Sequence, residues 1–205
     1  MVDIELCGSK TGNSFRAAIA LEEAGVPYRV RRIDLRGGEH RSAEYLALNP
    51  RGQVPIMISS APGRSTSVLT QSNAIMMFAA ESAPGTLLPE HASPARYRAL
   101  ERYFYFVTDV IAPSHAAFAL TAVSHSDESR QTLNFRSQQA LRMAEAFLDK
   151  GDYMAGDCFT LADISAYTMA SASLSLVGPD LPKLRRWFER IGARAGVNRG
   201  LRAFD

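Results

Sequence analysis

Cysteine is scarce in this chain of 205 residues, which has only Cys7 and Cys158. The two lie far apart and form no C-x-x-C pair, so the sequence supports neither a disulfide framework nor a metal site. Long apolar runs are also missing, since no segment approaches the roughly 18 residues of a membrane span, and no secretory signal follows Met1. These absences predict a cytoplasmic protein in which both cysteines are small buried side chains rather than reactive thiols.

A strong net charge is absent as well, because 23 lysines and arginines stand against 21 aspartates and glutamates, for a net charge of +2. That value is too small to indicate nucleic-acid binding. Basic residues gather between Lys183 and Arg202, where Leu184, Trp187 and Ile191 recur at helical spacing. We interpret these basic residues as the solvated face of a final helix rather than as a phosphate-binding patch.

What the sequence does contain is an ordered series of strand and helix patterns over residues 1–82. Short apolar stretches predict strands, and apolar residues at helical spacing predict helices, with glycines and prolines between them. The predicted strands are 4–7, 28–35, 54–59 and 67–70, and the predicted helices are 14–24, 42–48 and 72–83. The order βαβαββα predicts a mixed α/β domain.

A cluster of prolines marks the end of this domain. Pro84, Pro89 and Pro94 fall within 83–94, where no long apolar period occurs, and we predict a linker there. The remaining residues, 95–205, have helical spacing throughout. The predicted helices are one that ends or kinks at Pro113 and three more at 128–149, 160–177 and 181–194. Thr160 and Asp163 resemble a capping box at the start of the third of these helices. We therefore predict an all-helical second domain.

One feature of the first domain points to a ligand. Proline cannot continue a strand ladder, so Val54-Pro55 should lie at a sheet edge with free backbone groups. If that bond is cis, the Val54 N–H and C=O face outward and can pair with the backbone of a short peptide. Gln71 and Ser72 begin the next helix, with Ser72 as its cap, and a helix start is a seat for a carboxylate. Together they predict a site for a small peptide with a free carboxylate.

The chain closely resembles the cytosolic glutathione transferase superfamily over essentially its whole length. The strings that carry the resemblance are Asn49-Pro50-Arg51-Gly52-Gln53-Val54-Pro55, Gln71-Ser72-Asn73-Ala74-Ile75 and residues 156–164. The resemblance implies a thioredoxin-like N-terminal domain followed by an all-helical C-terminal domain. It also implies that Val54 pairs with the cysteinyl backbone of glutathione and that Gln71 and Ser72 hold the γ-glutamyl carboxylate. His40 and Gln53 match positions that serve the glycine carboxylate, although His40 could instead be a loop histidine exposed to water.

The resemblance further implies where the thiol of glutathione is activated. A free thiol has a pKa of about 8.5, and one hydrogen bond to the charged sulfur, worth roughly 1.5–3 kcal/mol, is enough to lower it. The superfamily places that donor near the start of the first helix, and Thr11 with Asn13 resembles the Thr-x-Asn of the bacterial Nu class. We expect Thr11 to be the main donor and Asn13 the second, with Ser9 and Ser14 as alternatives. Capping of the helix is the competing role for these residues.

The second substrate would bind against the first helix of the helical domain, where we nominate Tyr105 and Phe106 for its pocket. The leading hypothesis is a homodimeric glutathione transferase of detoxification that conjugates the thiolate to a small apolar electrophile. Glutathione is then a substrate, and no cofactor, nucleic acid or membrane is expected. A glutathione-dependent disulfide reductase and a non-catalytic glutathione-binding regulatory protein are the alternatives.

Overall fold

The structure is a computed structural model that describes residues 3–61, 63, 65–172 and 179–205. The chain divides into two compact units. The first runs up to Leu87 and resumes at Arg194–Asp205, and we call it the N-terminal unit. The second, Leu88–Ala193, is called the helical unit. The ranges predicted from the sequence, 1–82, 83–94 and 95–205, differ from this division mainly because the end of the chain belongs to the N-terminal unit.

The N-terminal unit has the predicted order of strands and helices. Its strands are β1 (Asp3–Gly8), β2 (Arg29–Arg32), β3 (Ile56–Ser60) and β4 (Ser67–Leu69), and its first helices are α1 (Gly12–Glu23), α2 (Ala43–Leu48) and α3 (Ser72–Ser82). A 3-10 turn, Glu39–Arg41, precedes α2. Among the described residues the strands form one sheet of order β2-β1-β3-β4, in which β2 is parallel to β1 and the other pairs are antiparallel. This is the mixed α/β arrangement that the sequence predicted.

One expectation about this sheet is wrong. β3 is an inner strand, because Ile56 pairs with Cys7 of β1 and Met57 pairs with Leu69 of β4. Val54-Pro55 therefore does not mark a sheet edge. Pro55 is tolerated because it stands before the first paired residue of β3, where the ladder requires no N–H from it.

Four segments of the chain leave the sheet at the same end. The parallel strands β1 and β2 finish there at Gly8 and Arg32. The antiparallel pairings place the start of β3 at Ile56 and the finish of β4 at Leu69 at this end as well. The loops that follow β1, β2 and β4 and the loop that precedes β3 are consequently neighbours, although they are distant in sequence.

The helical unit consists of α4 (Pro94–Tyr105), α5 (Ala112–Ala119), α6 (Asp127–Met143), α7 (Leu161–Ala172) and α8 (Pro182–Gly192). A π-helical stretch, Phe106–Ile111, joins α4 to α5, so the predicted helix continues and Pro113 lies in the first turn of α5. The part of the predicted third helix at 173–177 lies outside the described residues. Of the helices that the structure describes, none combines the length and the hydropathy needed to cross a membrane.

A buried carboxylate joins three segments of the helical unit. Asp163 is fully buried, and its Oδ1 accepts hydrogen bonds from the Met154 N–H (2.9 Å) and from Trp187 Nε1 (2.8 Å). Its Oδ2 accepts from the Thr160 N–H (2.8 Å) and hydroxyl (3.1 Å), and the first of these is one of the two hydrogen bonds of the predicted capping box. The Asp163 N–H donates instead to the Thr160 carbonyl at 3.0 Å. Burial raises the pKa of Asp163, and the four donated hydrogen bonds oppose that rise.

The chain ends in a helix that the sequence did not predict, α9 (Ala195–Arg202), which packs against α1 within the N-terminal unit. Gly200 permits the close approach, because a Cβ on it would lie 2.6 Å from the backbone of Ile19. Beyond α9, Phe204 is fully buried beside Phe15, with ring centroids 6.4 Å apart. A Cβ on Gly8 would lie 2.6 Å from the Phe204 ring, so the end of the chain packs directly under the end of β1.

Ion pairs also hold α9 to α1. Arg194 donates two hydrogen bonds to Glu23, at 3.1 and 2.6 Å, and Arg199 donates one to Glu22 at 2.6 Å. The side chain of Glu23 is only 8% exposed, so its pair with Arg194 is partly desolvated. The two arginines lie beyond α8, so the interpretation of the terminal basic residues as one face of a single final helix does not extend to them.

We expect Asp163→Asn to lower the free energy of unfolding by about 3 kcal/mol, because an amide NH2 would face N–H donors inside the helical unit. Urea unfolding followed by circular dichroism measures the change. Asp157→Asn, at an exposed carboxylate of the same segment, is the control and should change stability by less than about 0.5 kcal/mol. Equal stabilities of Asp163→Asn and the parent protein would contradict the structural role.

Candidate active site

The loop between β1 and α1 together with the first residues of α1, Ser9–Ser14, is called the donor loop. Thr11 caps α1, and its Oγ1 accepts a hydrogen bond from the Ser14 N–H at 3.3 Å. Thr11 Oγ1 and Ser14 Oγ lie 3.0 Å apart, and the Ser9 N–H donates to Ser14 Oγ at 3.3 Å. Ser14 is completely buried while Thr11 is half-buried, so of the two hydroxyls only that of Thr11 faces outward.

Capping of α1 by Thr11 is compatible with a donor role. A hydroxyl has one donor and two acceptor sites, and either hydroxyl of the Thr11–Ser14 pair can donate to the other. When Ser14 donates to Thr11, the Thr11 oxygen has accepted two hydrogen bonds and its own proton points away from Ser14. The Ser9 N–H then completes a chain of donors that runs from Ser9 through Ser14 to Thr11.

The side-chain amide of Asn13 is oriented by a buried arginine. Arg16 is 1% exposed, and its Nη1 donates to Asn13 Oδ1 at 2.7 Å. A guanidinium group only donates, so this contact fixes the carbonyl oxygen of Asn13 toward Arg16. Within the part of the chain that the structure describes, Asn13 Nδ2 has no hydrogen-bond partner. Asn13 therefore presents a hydrogen-bond donor, as its predicted role requires.

The loop before β3 is held through the carbonyl oxygen of Gln53. The Tyr45 hydroxyl (2.8 Å) and Asn49 Nδ2 (2.7 Å) both donate to this oxygen, and Asn49 Oδ1 accepts from the Arg51 N–H at 3.2 Å. Tyr45 and Asn49 are both buried. Sequence reasoning selected Gln53 and Val54 as ligand-binding residues but missed these two supports. The sequence signal that could have identified Asn49 is its position directly after the short helix α2.

The bond between Val54 and Pro55 is cis. The side chain of Val54 packs against a buried cluster that includes Cys7 and Ile56. Neither the N–H nor the C=O of Val54 has a hydrogen-bond partner among the residues that the structure describes. The side chain thus anchors this residue, and its backbone is free to pair with another backbone.

The start of α3 suits a carboxylate. Gln71, rather than Ser72, is the N-cap, because Gln71 has an extended backbone and the helix begins at Ser72. Gln71 is exposed and Ser72 is buried. No acidic residue lies in the first turn, so nothing on the helix itself offsets the positive end of its dipole.

His40 lies in the 3-10 turn beside the loop that carries Gln53. A Cβ on Gly52 would lie 3.0 Å from the His40 carbonyl oxygen, and Gly52 has a φ of +58°, so glycine is required where these two segments meet. His40 is half-buried rather than exposed. Among the described residues its Nδ1 has no hydrogen-bond partner although it is buried. The structure therefore brings His40 next to the predicted peptide site.

The two residues nominated for the second substrate lie in the helical unit. Phe106 is completely buried, with its ring 5.5 Å from that of Tyr105 and 6.2 Å from that of Phe147. Because it offers no surface to a ligand, we withdraw Phe106 as a pocket residue. Tyr105 is half-buried and donates its hydroxyl to the Ala140 carbonyl at 2.7 Å, and its role stays a prediction.

The Cys7 thiol does not compete with this site. Burial and, second to it, the neighbouring Glu5 carboxylate raise the pKa of the Cys7 thiol to about 12, so the thiol is protonated at neutral pH. Cys158 is exposed, which corrects the expectation that both cysteines are buried. Among the residues that the structure describes, no group of His, Cys, Asp and Glu side chains could hold a metal ion.

Family models match both units. The model of the glutathione S-transferase N-terminal domain matches residues 12–82, and that of the C-terminal domain matches residues 136–190. The chain belongs to the cytosolic glutathione transferase superfamily.

Glutathione S-transferase 3 of Zea mays is 29% identical over 203 residues, which cover 93% of this chain and 89% of that protein. The disulfide-bond oxidoreductase YfcG of Escherichia coli (strain K12) is 25% identical over 210 residues, which cover 97% and 94%.

Solved transferase structures have the same fold. A possible glutathione S-transferase from Rhodopseudomonas palustris has a TM-score of 0.74 and 28% identity and covers 94% of this chain and 87% of its own. A family member from Pseudomonas fluorescens pf-5, solved with two glutathione bound, has a TM-score of 0.81 and 23% identity and covers 97% and 92%. These likenesses confirm the predicted thioredoxin-like domain followed by an all-helical domain.

We expect Tyr45→Phe to lower the free energy of unfolding by about 1 kcal/mol, because it removes one of the two hydrogen bonds to the Gln53 carbonyl and little else. Chemical denaturation measures this loss. Tyr97→Phe, at an exposed tyrosine, is the matched control and should be close to neutral. A Tyr45→Phe protein as stable as the control would show that the loop before β3 does not depend on this contact.

Proposed function

We infer that the protein is a glutathione transferase, which binds glutathione at the shared end of the N-terminal sheet and adds its thiolate to an electrophile. The observation that carries this conclusion is the set of groups brought to that end. They are the unpaired backbone of Val54, the start of α3 at Gln71, the half-buried hydroxyl of Thr11 and the free Nδ2 of Asn13. The sequence resemblance and the family models support the same conclusion.

These groups fit the parts of the tripeptide in turn. The N–H and C=O of Val54 pair with the cysteinyl backbone as an added strand would. Gln71, Ser72 and the N–H groups of the first turn of α3 hold the γ-glutamyl carboxylate. His40 and Gln53 serve the glycine carboxylate, and the contact between the His40 and Gly52 segments supports this pairing of roles.

The sulfur is then placed at the donor loop. The Thr11 hydroxyl and Asn13 Nδ2 donate to the thiolate, and α1, which has no acidic residue in its first turn, adds the positive end of its dipole. Both donors stabilise the charged form, so the pKa of the bound thiol falls below that of free glutathione. In the reaction the sulfur forms a bond to the electrophilic carbon, and the leaving group departs with the bonding electron pair. Positioning and thiolate stabilisation supply the rate.

A glutathione-dependent disulfide reductase is the second candidate. The similarity to the oxidoreductase YfcG and the structural neighbour with two bound glutathione molecules favour it. The same thiolate would attack a disulfide, form a new S–S bond and release the other sulfur as a thiolate. The Cys7 thiol would take no part in such a reaction, because it is buried and protonated. On the basis of the superfamily resemblance, we also propose that the protein is a cytoplasmic homodimer that acts in detoxification.

Glutathione should stabilise the protein against heat. A ligand present at 100 times its dissociation constant raises the free energy of unfolding by about 2.7 kcal/mol, so differential scanning calorimetry with millimolar glutathione should show a higher Tm. Cysteinylglycine, which lacks the γ-glutamyl group expected at α3, is the control and should shift the Tm less. An unchanged Tm with glutathione would sink the proposal. Faster turnover of a mixed disulfide than of a chloronitrobenzene would rank the reductase first.

The pKa of bound glutathione should rise when either donor is removed. We expect Thr11→Ala and Asn13→Ala each to raise it by about one unit, with the larger change for Thr11→Ala, so the rising limb of the pH–rate profile moves to higher pH. Titration of the ultraviolet thiolate absorbance measures both shifts. Thr11→Ser keeps the hydroxyl and should leave the titration unchanged. A larger pKa rise in Asn13→Ala than in Thr11→Ala would make Asn13 the main donor. An unchanged pKa in both variants would exclude both residues as donors.

A further inference from the structure

An open pocket with a volume of about 590 Å³ adjoins the donor loop within the N-terminal unit. Ser9 and Lys10 of the donor loop form one wall, and Arg32 at the end of β2 with the segment that follows it, as far as Glu39, forms the other. The Ile33 N–H donates to the Gly8 carbonyl at 2.7 Å, which fixes the second wall against the first. The pocket therefore begins at the residue that precedes Thr11 in the chain.

Acidic and basic side chains both line this pocket, but the acidic ones already have partners. Glu39 Oε1 accepts a hydrogen bond from Arg31 at 3.1 Å, and its Oε2 accepts from the Asp34 N–H at 2.8 Å. Asp34 Oδ1 in turn accepts from the Gly37 N–H at 2.8 Å. Both carboxylates thus organise the wall, and the charge of Glu39 is paired with Arg31, whereas Asp34 keeps its negative charge and balances only one of the cations around it.

The cations, in contrast, are available. Among the residues that the structure describes, the guanidinium groups of Arg32 and Arg36 form no ion pair or hydrogen bond. Lys10 pairs with Asp205 at 2.9 Å, but both side chains are 58% exposed, and such a pair contributes only about 0–1 kcal/mol. The start of α1 adds a further positive potential beside Lys10. The pocket thus has an excess of positive charge.

A neutral apolar substrate would displace water from these cations and offer no hydrogen-bond acceptors in its place. A carboxylate would supply those acceptors, since a guanidinium group binds a carboxylate through two parallel hydrogen bonds. Leu35 and the largely buried Ile33 give the same pocket an apolar part. Its chemistry therefore matches a molecule with an apolar body and an anionic end.

We propose that this pocket selects a second substrate that carries a carboxylate, which Arg32, Arg36 and Lys10 hold beside the glutathione sulfur. This proposal rests on the proposed function and changes the expected electrophile from a purely apolar one to an amphipathic one. The carboxylate has two possible sources: an electrophile to be conjugated, or the second glutathione moiety of a disulfide. In the first reaction the thiolate forms a C–S bond and chloride leaves with the bonding pair. In the second it forms an S–S bond, and the released thiolate takes a proton from water.

The test compares two electrophiles that differ only in charge, a chloronitrobenzoate and its methyl ester, each normalised to its uncatalysed rate. We expect Arg32→Gln and Arg36→Gln each to raise the KM for the benzoate by about fivefold and to leave that for the ester unchanged. Added salt should raise the KM of the parent protein for the benzoate alone. Arg136→Gln removes an exposed arginine of the helical unit and controls for net charge.

A second comparison distinguishes the sources of the carboxylate. Glutathione disulfide and the mixed disulfide of glutathione with mercaptoethanol are assayed with the same variants. A loss of variant activity that is confined to glutathione disulfide assigns the pocket to a second glutathione. A loss that is confined to the benzoate assigns it to an anionic electrophile. Equal losses on charged and neutral substrates, or none on either, would overturn the proposal. So would a higher KM for glutathione itself, which would place the arginines in the glutathione site.

The proposed function and the selection of a carboxylate can be disproved separately. If glutathione does not raise the Tm of the parent protein, the proposed function fails, and this pocket has no role in it. If glutathione does raise the Tm and the neutral ester is conjugated, but Arg32→Gln and Arg36→Gln do not discriminate between the substrates, only the selection of a carboxylate fails.

Discussion

The pairing of β1 with a strand on each side is the constraint on which the site depends. β1 runs parallel to β2 and antiparallel to β3, and Cys7 lies opposite Ile56 in that register. A shift of one residue would turn every side chain of a strand to the opposite face of the sheet, so burial of one face fixes the register firmly. Because the register is fixed, the donor loop, the loop before β3 and the segment after β2 always leave the sheet together.

Around this sheet, hydrogen bonds from buried polar residues hold the candidate site residues in position. Arg16 orients Asn13, while Tyr45 and Asn49 hold the carbonyl of Gln53. A buried polar group is costly unless it is hydrogen-bonded, so these supports have few alternative arrangements. Asn13 is left with a free Nδ2 donor because its Oδ1 is already bonded to Arg16.

Much of the fold could be predicted because it depends on local patterns. Apolar spacing and the positions of glycine and proline define the βαβαββα order, and the chemistry of proline and of helix starts singles out Val54 and Gln71. The inner position of β3 could not be predicted from Val54-Pro55. Proline lacks a backbone N–H only at its own position, so the residues that follow it can still pair with a strand on each side. Asn13 was predicted as a donor, but its orientation depends on Arg16, and contacts of that kind are not visible in a spacing pattern. Phe106 was misplaced because a helical stripe does not say which face meets a ligand.

Helix α9 escaped prediction because it has few apolar residues, and its role depends on contacts with α1, far away in the sequence. Phe204, which packs under Gly8, gives those contacts a consequence for synthesis on the ribosome. The N-terminal unit takes its last pieces from the opposite end of the chain, so its core cannot close while the helical unit is still being translated. Folding of the N-terminal unit is thus completed only after the helical unit has been translated, unlike that of a domain built from one continuous segment.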